Sequence, residues 1–121
     1  MSFEFDNNIP IYMQLVEQLK TNIISGKLKP GERLPSVREF ALQTKVNPNT
    51  MQRALTELEE MNLVFTERTN GKFVTEDIEL IQKFKEQYAK ELSENYFISM
   101  QNIGYGKKEA MEYLNKIGGN K

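Results

Sequence analysis

The most constraining feature of the chain is an unbroken succession of helix and turn signals between residues 23 and 74. Gly26 fits a helix end, and Pro30-Gly31 stands in the order that a turn requires. Ser36-Val37-Arg38-Glu39 matches a capping box, in which Ser36 is the N-cap. Asn47-Pro48 suits the start of another helix, and Asn70-Gly71 is a strong hairpin signal. The run therefore predicts helix, turn, helix, turn, helix and hairpin.

Apolar residues at helical spacing extend this reading over the whole chain. We expect a first helix over residues 10–25 with Pro10 at its first position, a second from Ser36 to about Thr44, and a third from Asn47. Strands over 63–67 and 72–75 would form the hairpin, followed by a long helix over 76–103 and a last helix over 107–117. The third helix would bury a stripe that comprises Met51, Ala54, Leu55, Leu58 and Met61.

The composition argues against most enzymes. The chain has no cysteine and no histidine, which removes thiolate metal sites, the commonest metal ligand and the commonest general base. No cofactor or metal is expected. No run reaches the length of a membrane span, and the N-terminus lacks the pattern of a signal peptide, so we expect a soluble cytoplasmic protein.

Charge is distributed unevenly along the chain. The net charge is −1, but residues 1–19 carry −3, residues 20–75 carry +3 and residues 76–121 carry −1. The positive part coincides with the helix and turn signals, as expected for a part that meets nucleic acid. Because the excess is mild, we expect weak affinity for random DNA.

The third predicted helix has the pattern of a helix that enters the major groove. Its inner face is apolar and its outer face is polar, so it could be anchored on a neighbour while it reads base edges. The second helix and the hairpin tip would supply flanking contacts. The candidate DNA-binding residues are Ser36, Arg38, Asn47, Asn49, Thr50, Gln52, Arg53, Arg68, Asn70, Gly71 and Lys72.

Three motifs resemble the winged helix-turn-helix head of the GntR family of bacterial transcription regulators. They are Gly26-x-Leu28-x-Pro30-Gly31-x-x-Leu34-Pro35-Ser36-x-Arg38-x-x-Ala41, Val46-Asn47-Pro48-Asn49-Thr50-x-x-x-Ala54-x-x-x-Leu58, and Leu63-Val64 with Gly71-x-Phe73-Val74. The opening Ile9-Pro10-Ile11-Tyr12-x-Gln14-Leu15 is similar to the YtrA-like subfamily. Arg38 is the family DNA contact that the match carries over most directly.

The resemblance implies a mainly α fold with a small β-hairpin: a winged helix-turn-helix domain over residues 1–75, followed by a two-helix dimerisation segment over 76–121. It implies a dimeric repressor of a small operon, with transporter genes as typical neighbours. Two positions depart from the family pattern. Asn62 replaces a glycine after the third helix, where asparagine tolerates the left-handed conformation, and Thr69 replaces a glycine near the wing tip.

The long helix carries an apolar stripe that needs a covering surface. Two lone helices cannot bury it, so it packs either on the head or on a second copy of the chain. We favour a homodimer that reads a palindromic operator with half-sites about 34 Å apart or a multiple of it. The candidate dimerisation residues are Ile81, Phe84, Tyr88, Leu92 and Tyr96.

Three questions stay open at this point. A small-molecule effector could bind between the C-terminal helices and the head, where Tyr88, Tyr96, Tyr105 and Tyr113 are available, although tyrosines more often serve as core or interface residues. A winged helix could also bind protein instead of DNA. An enzyme that uses only carboxylates is disfavoured, because Glu57, Glu59 and Glu60 do not share one helix face.

Overall fold

The computed structural model describes residues 3–119 and contains five helices and one hairpin within them. The helices are α1 (Ile11–Ser25), α2 (Val37–Thr44), α3 (Pro48–Glu60), α4 (Ile78–Asn102) and α5 (Lys107–Gly118), and the strands are β1 (Val64–Glu67) and β2 (Gly71–Val74). The predicted fold class, mainly helical with a small hairpin, is confirmed. In the described range, no helix is both long enough and apolar enough to cross a membrane.

The chain divides into two compact units between Phe84 and Lys85. The first unit contains α1 to α3, the hairpin and the first turns of α4. The second contains the rest of α4 and α5. The domain boundary expected after residue 75 is a functional division, and it stays a prediction.

The core of the first unit lies between α1, α2 and α3. Leu15, Leu19 and Ile23 of α1 face the buried stripe of α3, and Phe40 of α2 closes the core. The one buried hydroxyl in α2, on Thr44, donates to the carbonyl oxygen of Phe40 at 2.8 Å, so this polar group is hydrogen-bonded within the core. Full burial of such apolar side chains contributes about 1.5–3 kcal/mol each, which fixes how α3 is rotated about its axis.

Local chemistry sets the helix ends much as the sequence predicts. Ser36 Oγ accepts from the Glu39 amide at 3.2 Å, and Asn47 Oδ1 accepts from the Asn49 amide at 2.8 Å. Gly26, with φ of 86°, ends α1. Pro10 differs from the prediction: its ψ of 133° is extended, so the helix begins one residue later, at Ile11.

Two helices end in a left-handed residue that is not glycine. Asn62 has φ of 63°, as its tolerance for this conformation predicts. Lys45, between α2 and α3, has φ of 59°. The next amide, of Val46, reaches back to the carbonyl oxygen of Ala41 at 3.0 Å, which closes the turn of a Schellman motif. Unlike asparagine, lysine has no short polar side chain that could bond to the nearby backbone, and its Cβ atom disfavours the left-handed conformation, so the turn between α2 and α3 is strained.

A third extended segment pairs with the hairpin, which we call the wing. The sequence did not predict this pairing. Strands β1 and β2 pair antiparallel, with Val64 opposite Val74 and Glu67 opposite Gly71. The Leu34 amide donates to the carbonyl oxygen of Lys72 at 2.8 Å, and the Val74 amide donates to that of Glu32 at 2.9 Å. The segment just before α2 is therefore held against the wing.

The second unit is a helix pair with a large exposed apolar surface. Gly104, with φ of 100°, breaks the chain between α4 and α5, and Tyr96 Oη donates to the carbonyl oxygen of Ala110 at 2.7 Å. Ala110 is fully buried. The exposed apolar residues of this unit are Leu92, Ile98, Ile103, Tyr105, Met111, Tyr113, Leu114 and Ile117.

We expect Lys45→Gly to raise the free energy of unfolding by about 1 kcal/mol, because glycine adopts the left-handed conformation without the clash of a Cβ atom. Urea unfolding followed by circular dichroism measures the change. Lys27→Gly is the matched control, since Lys27 has a negative φ and should gain nothing. Equal effects of the two substitutions would show that the turn is not strained.

Candidate nucleic-acid interface

The outer face of α3 presents polar side chains, as predicted. Met51, Ala54, Leu55 and Leu58 on the inner face are 0% exposed. Asn49, Gln52 and Arg53 are exposed on the outer face, and Thr50 is half-buried. Gln52 Nε2 donates to Thr56 Oγ1 at 3.2 Å, and the Gln52 side chain remains exposed. The geometry allows this face to meet base edges.

Three candidate residues lie at or near the starts of α2 and α3. Two of them cap a helix, and the third is a cation. Ser36 and Asn47 are both engaged as N-caps, and Ser36 Oγ also donates to Glu39 Oε1 at 3.1 Å. Their predicted DNA contacts stay predictions. Arg38 is exposed on α2 and has no hydrogen-bond or ion-pair partner within residues 3–119. Its guanidinium is available to a phosphate or a base.

At the wing tip, Arg68 is exposed and, among the described residues, unpartnered. Asn70 Nδ2 is bound to Glu67 Oε2 at 3.0 Å, so the Asn70 side chain stabilises the turn. Gly71 has φ of 102°, and a Cβ atom there would lie 3.6 Å from Nε of Arg33. The guanidinium of Arg33 therefore lies beside the wing tip.

Arg33 is a candidate that the sequence analysis missed. It pairs with Phe73 of β2 through an isolated bridge, and its side chain is exposed. Leu34 precedes a proline, and residues before proline favour an extended conformation. That preference was the available signal for an extended segment at this point, although nothing local indicates that it pairs with the wing.

A cleft of about 700 Å³ joins the start of α2 to the wing. It brings Ser36 together with Arg68, Gly71 and Lys72, and it adds Arg33 to them. Three carboxylates, of Glu32, Glu39 and Glu67, also line the cleft. The lining of the cleft therefore carries equal numbers of cationic and anionic side chains.

Arg53 is held on α1. Its guanidinium carbon lies 3.5 Å from the centroid of the Tyr12 ring, an arrangement of the cation–π type. A second depression of about 410 Å³ is lined by Tyr12, Arg53, Asn49 and Thr50 together with Ile11. Arg53 is therefore placed at the flank of α3, a position better suited to the DNA backbone than to base edges.

Lys72 is engaged inside the first unit. Its ammonium forms an ion pair with Glu59 Oε1 and also donates to Thr66 Oγ1 at 2.9 Å. Burial by itself raises the pKa of Glu59, but the hydrogen bonds from Lys72 and Thr66 and the charge of Lys72 outweigh it, so the pKa lies below its usual value. The Lys72 side chain is 16% exposed, which limits its reach toward DNA.

The five candidate dimerisation residues do not share one free surface. Ile81 is 9% exposed and belongs to the core of the first unit, and Phe84 packs against that core beneath the Lys20 ammonium. For these two residues, packing on the head accounts for the burial. Tyr96 is bound to Ala110 in the second unit. Tyr88 is half-buried and Leu92 is 59% exposed, and their role in a dimer stays a prediction.

Comparison with known proteins identifies the family. The sequence model described as bacterial regulatory proteins, gntR family, matches residues 11–74. The chain belongs to the GntR family. It is 39% identical over 112 residues to the HTH-type transcriptional regulator YhcF of Bacillus subtilis, a match that covers 93% of each chain. It is 41% identical over 71 residues to the HTH-type transcriptional repressor YtrA of Bacillus subtilis, which covers 59% of this chain and 55% of YtrA.

Solved structures of GntR proteins agree with the fold. A GntR family transcriptional regulator from Listeria monocytogenes is similar with a TM-score of 0.85 and 40% identity, over 93% of this chain and 99% of that one. AraR(DBD) in complex with operator ORX1 and ORE1 shares the fold at lower identity, and its complex with operator ORR3 is similar with a TM-score of 0.52 and 28% identity, over 62% of this chain and 88% of that one. The winged-helix resemblance predicted from the motifs is confirmed.

The Glu59–Lys72 pair makes stability depend on pH in a defined direction. Because the pKa of Glu59 is lower in the folded chain than in the unfolded chain, its stabilisation is complete above the ordinary glutamate pKa of about 4.3 and is lost as the pH falls through the lowered value. We expect Glu59→Gln to lower Tm at neutral pH and to approach the wild-type Tm in acid. A difference in Tm that did not change with pH would show that Glu59 does not titrate with the fold.

Proposed function

We propose that the chain is a sequence-specific DNA-binding transcription regulator that acts as a dimeric cytoplasmic repressor of a small operon. Residues 1–75 form the DNA-binding domain in this proposal, and residues 76–121 provide dimerisation. The observation that carries it is the arrangement of α3, whose inner face is completely buried and whose outer face is polar and exposed. Arg38 on α2 is exposed and has no partner among residues 3–119. The relation to the repressor YtrA and to an operator-bound AraR structure supports it.

The proposed contacts follow from the exposure of each side chain and from the partners that it has in the structure. Asn49 and Gln52 meet base edges in the major groove, and Arg38 meets a guanine or a phosphate beside them. Arg53 meets the backbone from its position on Tyr12. At the wing, Arg68 and the neighbouring Arg33 reach the adjacent minor groove or its phosphates.

The first experiment is selection of binding sites from random duplex DNA, followed by titration of the selected site at several salt concentrations. A palindrome whose binding constant falls steeply with salt supports a dimeric regulator. The alternative function, a winged-helix module that binds protein, predicts no enriched sequence and no salt-dependent DNA binding.

Arg38→Ala should weaken operator binding by about 1–3 kcal/mol, because an arginine that contacts a base or a close phosphate contributes that much. Fluorescence anisotropy with the selected operator measures the change, and Arg33→Ala tests the residue added by the structure. Lys90→Ala, which removes the same charge from an exposed position on α4, is the matched control. An Arg38→Ala protein with the affinity of the control would remove Arg38 from the interface.

Leu92→Glu should convert the dimer to monomers and weaken operator binding, because a charge cannot be buried in an apolar interface and one half-site binds poorly alone. Leu92 is 59% exposed in the single chain, so the substitution should not disturb folding. Sedimentation velocity gives the oligomeric state. Gln87→Glu adds the same charge on another face of α4 and should remain dimeric. If Leu92→Glu also remains dimeric, the stripe faces elsewhere.

A further inference from the structure

Three side chains connect the end of α3 to both strands of the wing. Glu59, in the last turn of α3, accepts through Oε1 from Thr66 Oγ1 at 2.8 Å and from the Lys72 ammonium. Lys72 also donates to Thr66 Oγ1 at 2.9 Å. Thr66 and Lys72 are cross-strand partners in the hairpin. One carboxylate is therefore fastened to β1 and β2 at the same point.

The environment of Lys72 does not suit a direct contact with DNA. Two of the three donors of its ammonium are occupied, and its side chain is 16% exposed while that of Glu59 is 31% exposed. To reach a phosphate, Lys72 would have to leave Glu59 as an unpaired and partly buried carboxylate, which is costly. Other cations are available for that purpose, since Arg68 of the wing and Arg33 of the segment paired with it are exposed.

The connection between α3 and β1 is short, and the side-chain network adds a second link between these elements. The connection consists of a short turn through Met61 and the left-handed Asn62. The backbone bonds of this turn bind it to α3, with the Leu63 amide donating to the carbonyl oxygen of Leu58 at 3.0 Å. These bonds lie at the base of the wing. Further along its strands, the Leu34 amide ties Lys72 to the segment before α2, and Glu59 ties Thr66 and Lys72 to α3. A bond there restrains the wing against rotation about the turn.

We propose that Glu59, Thr66 and Lys72 are positioning residues that hold the wing at the distance from α3 at which both elements reach DNA together. This inference rests on the proposed function and deepens it. Lys72 acts through the position of Arg68 and Arg33 and makes no DNA contact of its own. Binding elements must be held to within a fraction of an ångström to act together, and this network supplies the restraint.

The direction in which Glu59→Gln changes DNA affinity distinguishes a positioning role of Lys72 from a direct contact with DNA. Removing an acidic residue from a DNA-binding domain ordinarily strengthens binding, because repulsion from phosphate decreases. If Lys72 contacts a phosphate, Glu59→Gln frees it and binding should become stronger. If Glu59 holds the wing, Glu59→Gln should weaken binding.

We therefore expect Glu59→Gln to weaken operator binding by up to about fivefold, the range that one partly exposed ion pair supports. Glu60→Gln is the matched control, since Glu60 is the next residue of α3, is exposed and loses the same charge. It should bind as tightly as the wild type or more tightly. Affinities are compared at a temperature where circular dichroism shows every variant to be folded, so that loss of stability alone cannot account for a difference. Equal affinities of the two variants would overturn the proposal.

A charge exchange provides the rescue. The double variant Glu59→Lys with Lys72→Glu keeps the net charge and restores an ion pair that Thr66 can still join. Positioning predicts that it binds better than either single variant. Direct contact predicts that it binds poorly, because a carboxylate then faces the phosphate.

Hydrogen exchange of the free protein tests the restraint without DNA. Amides of residues 64–74 should exchange faster in Glu59→Gln than in Glu60→Gln. Unchanged exchange would overturn the proposal even if no operator were found. If the wild type binds no selected DNA, the proposed function fails. If the wild type binds and Glu59→Gln loosens the wing without any loss of affinity, the network is not a positioning device.

Discussion

The burial of one face of α3 is the constraint on which the rest of the structure depends. Met51, Leu55 and Leu58 have no exposed surface, and α1 and α2 pack on this face. Rotating the helix would expose several such side chains at about 1.5–3 kcal/mol each. The outward direction of Asn49 and Gln52 is therefore set by the core and exists before any DNA is bound. An interface prepared in this way loses little conformational entropy on binding.

The five cationic side chains of the candidate interface fall into two groups. Arg53 is held by Tyr12 and Lys72 is held by Glu59, whereas Arg38, Arg68 and Arg33 have no ion-pair partner in the described range. The charge of a residue alone does not tell which group it belongs to. A held cation fixes the relation between two elements, and a free one is left for phosphate.

Local chemistry made the elements predictable, while long-range pairing was not. The N-caps of Ser36 and Asn47 and the left-handed Asn62 depend on residues within three positions, so a single sequence contains their signals. Glu59 and Lys72 are 13 residues apart, and Arg53 lies 41 residues from Tyr12 in the numbering of the chain. The residues next to each partner in the sequence give no signal that predicts such pairs. For the same reason, Ile81 was predicted to lie in a dimer interface. Periodicity shows that a helix has a buried stripe, but it does not show which surface the stripe packs against.

The weak charge of the head and the exposed apolar surface of the second unit have a common explanation under the proposed function. Residues 20–75 carry a net charge of only +3, so a single copy is expected to bind DNA poorly. Joining two heads makes the second contact intramolecular and multiplies affinity without new contacts. Leu114 and Ile117, exposed on α5, supply apolar surface for that joining. Modest charge then favours specificity, because one head alone gains little from random sequence while two heads at the correct spacing gain together.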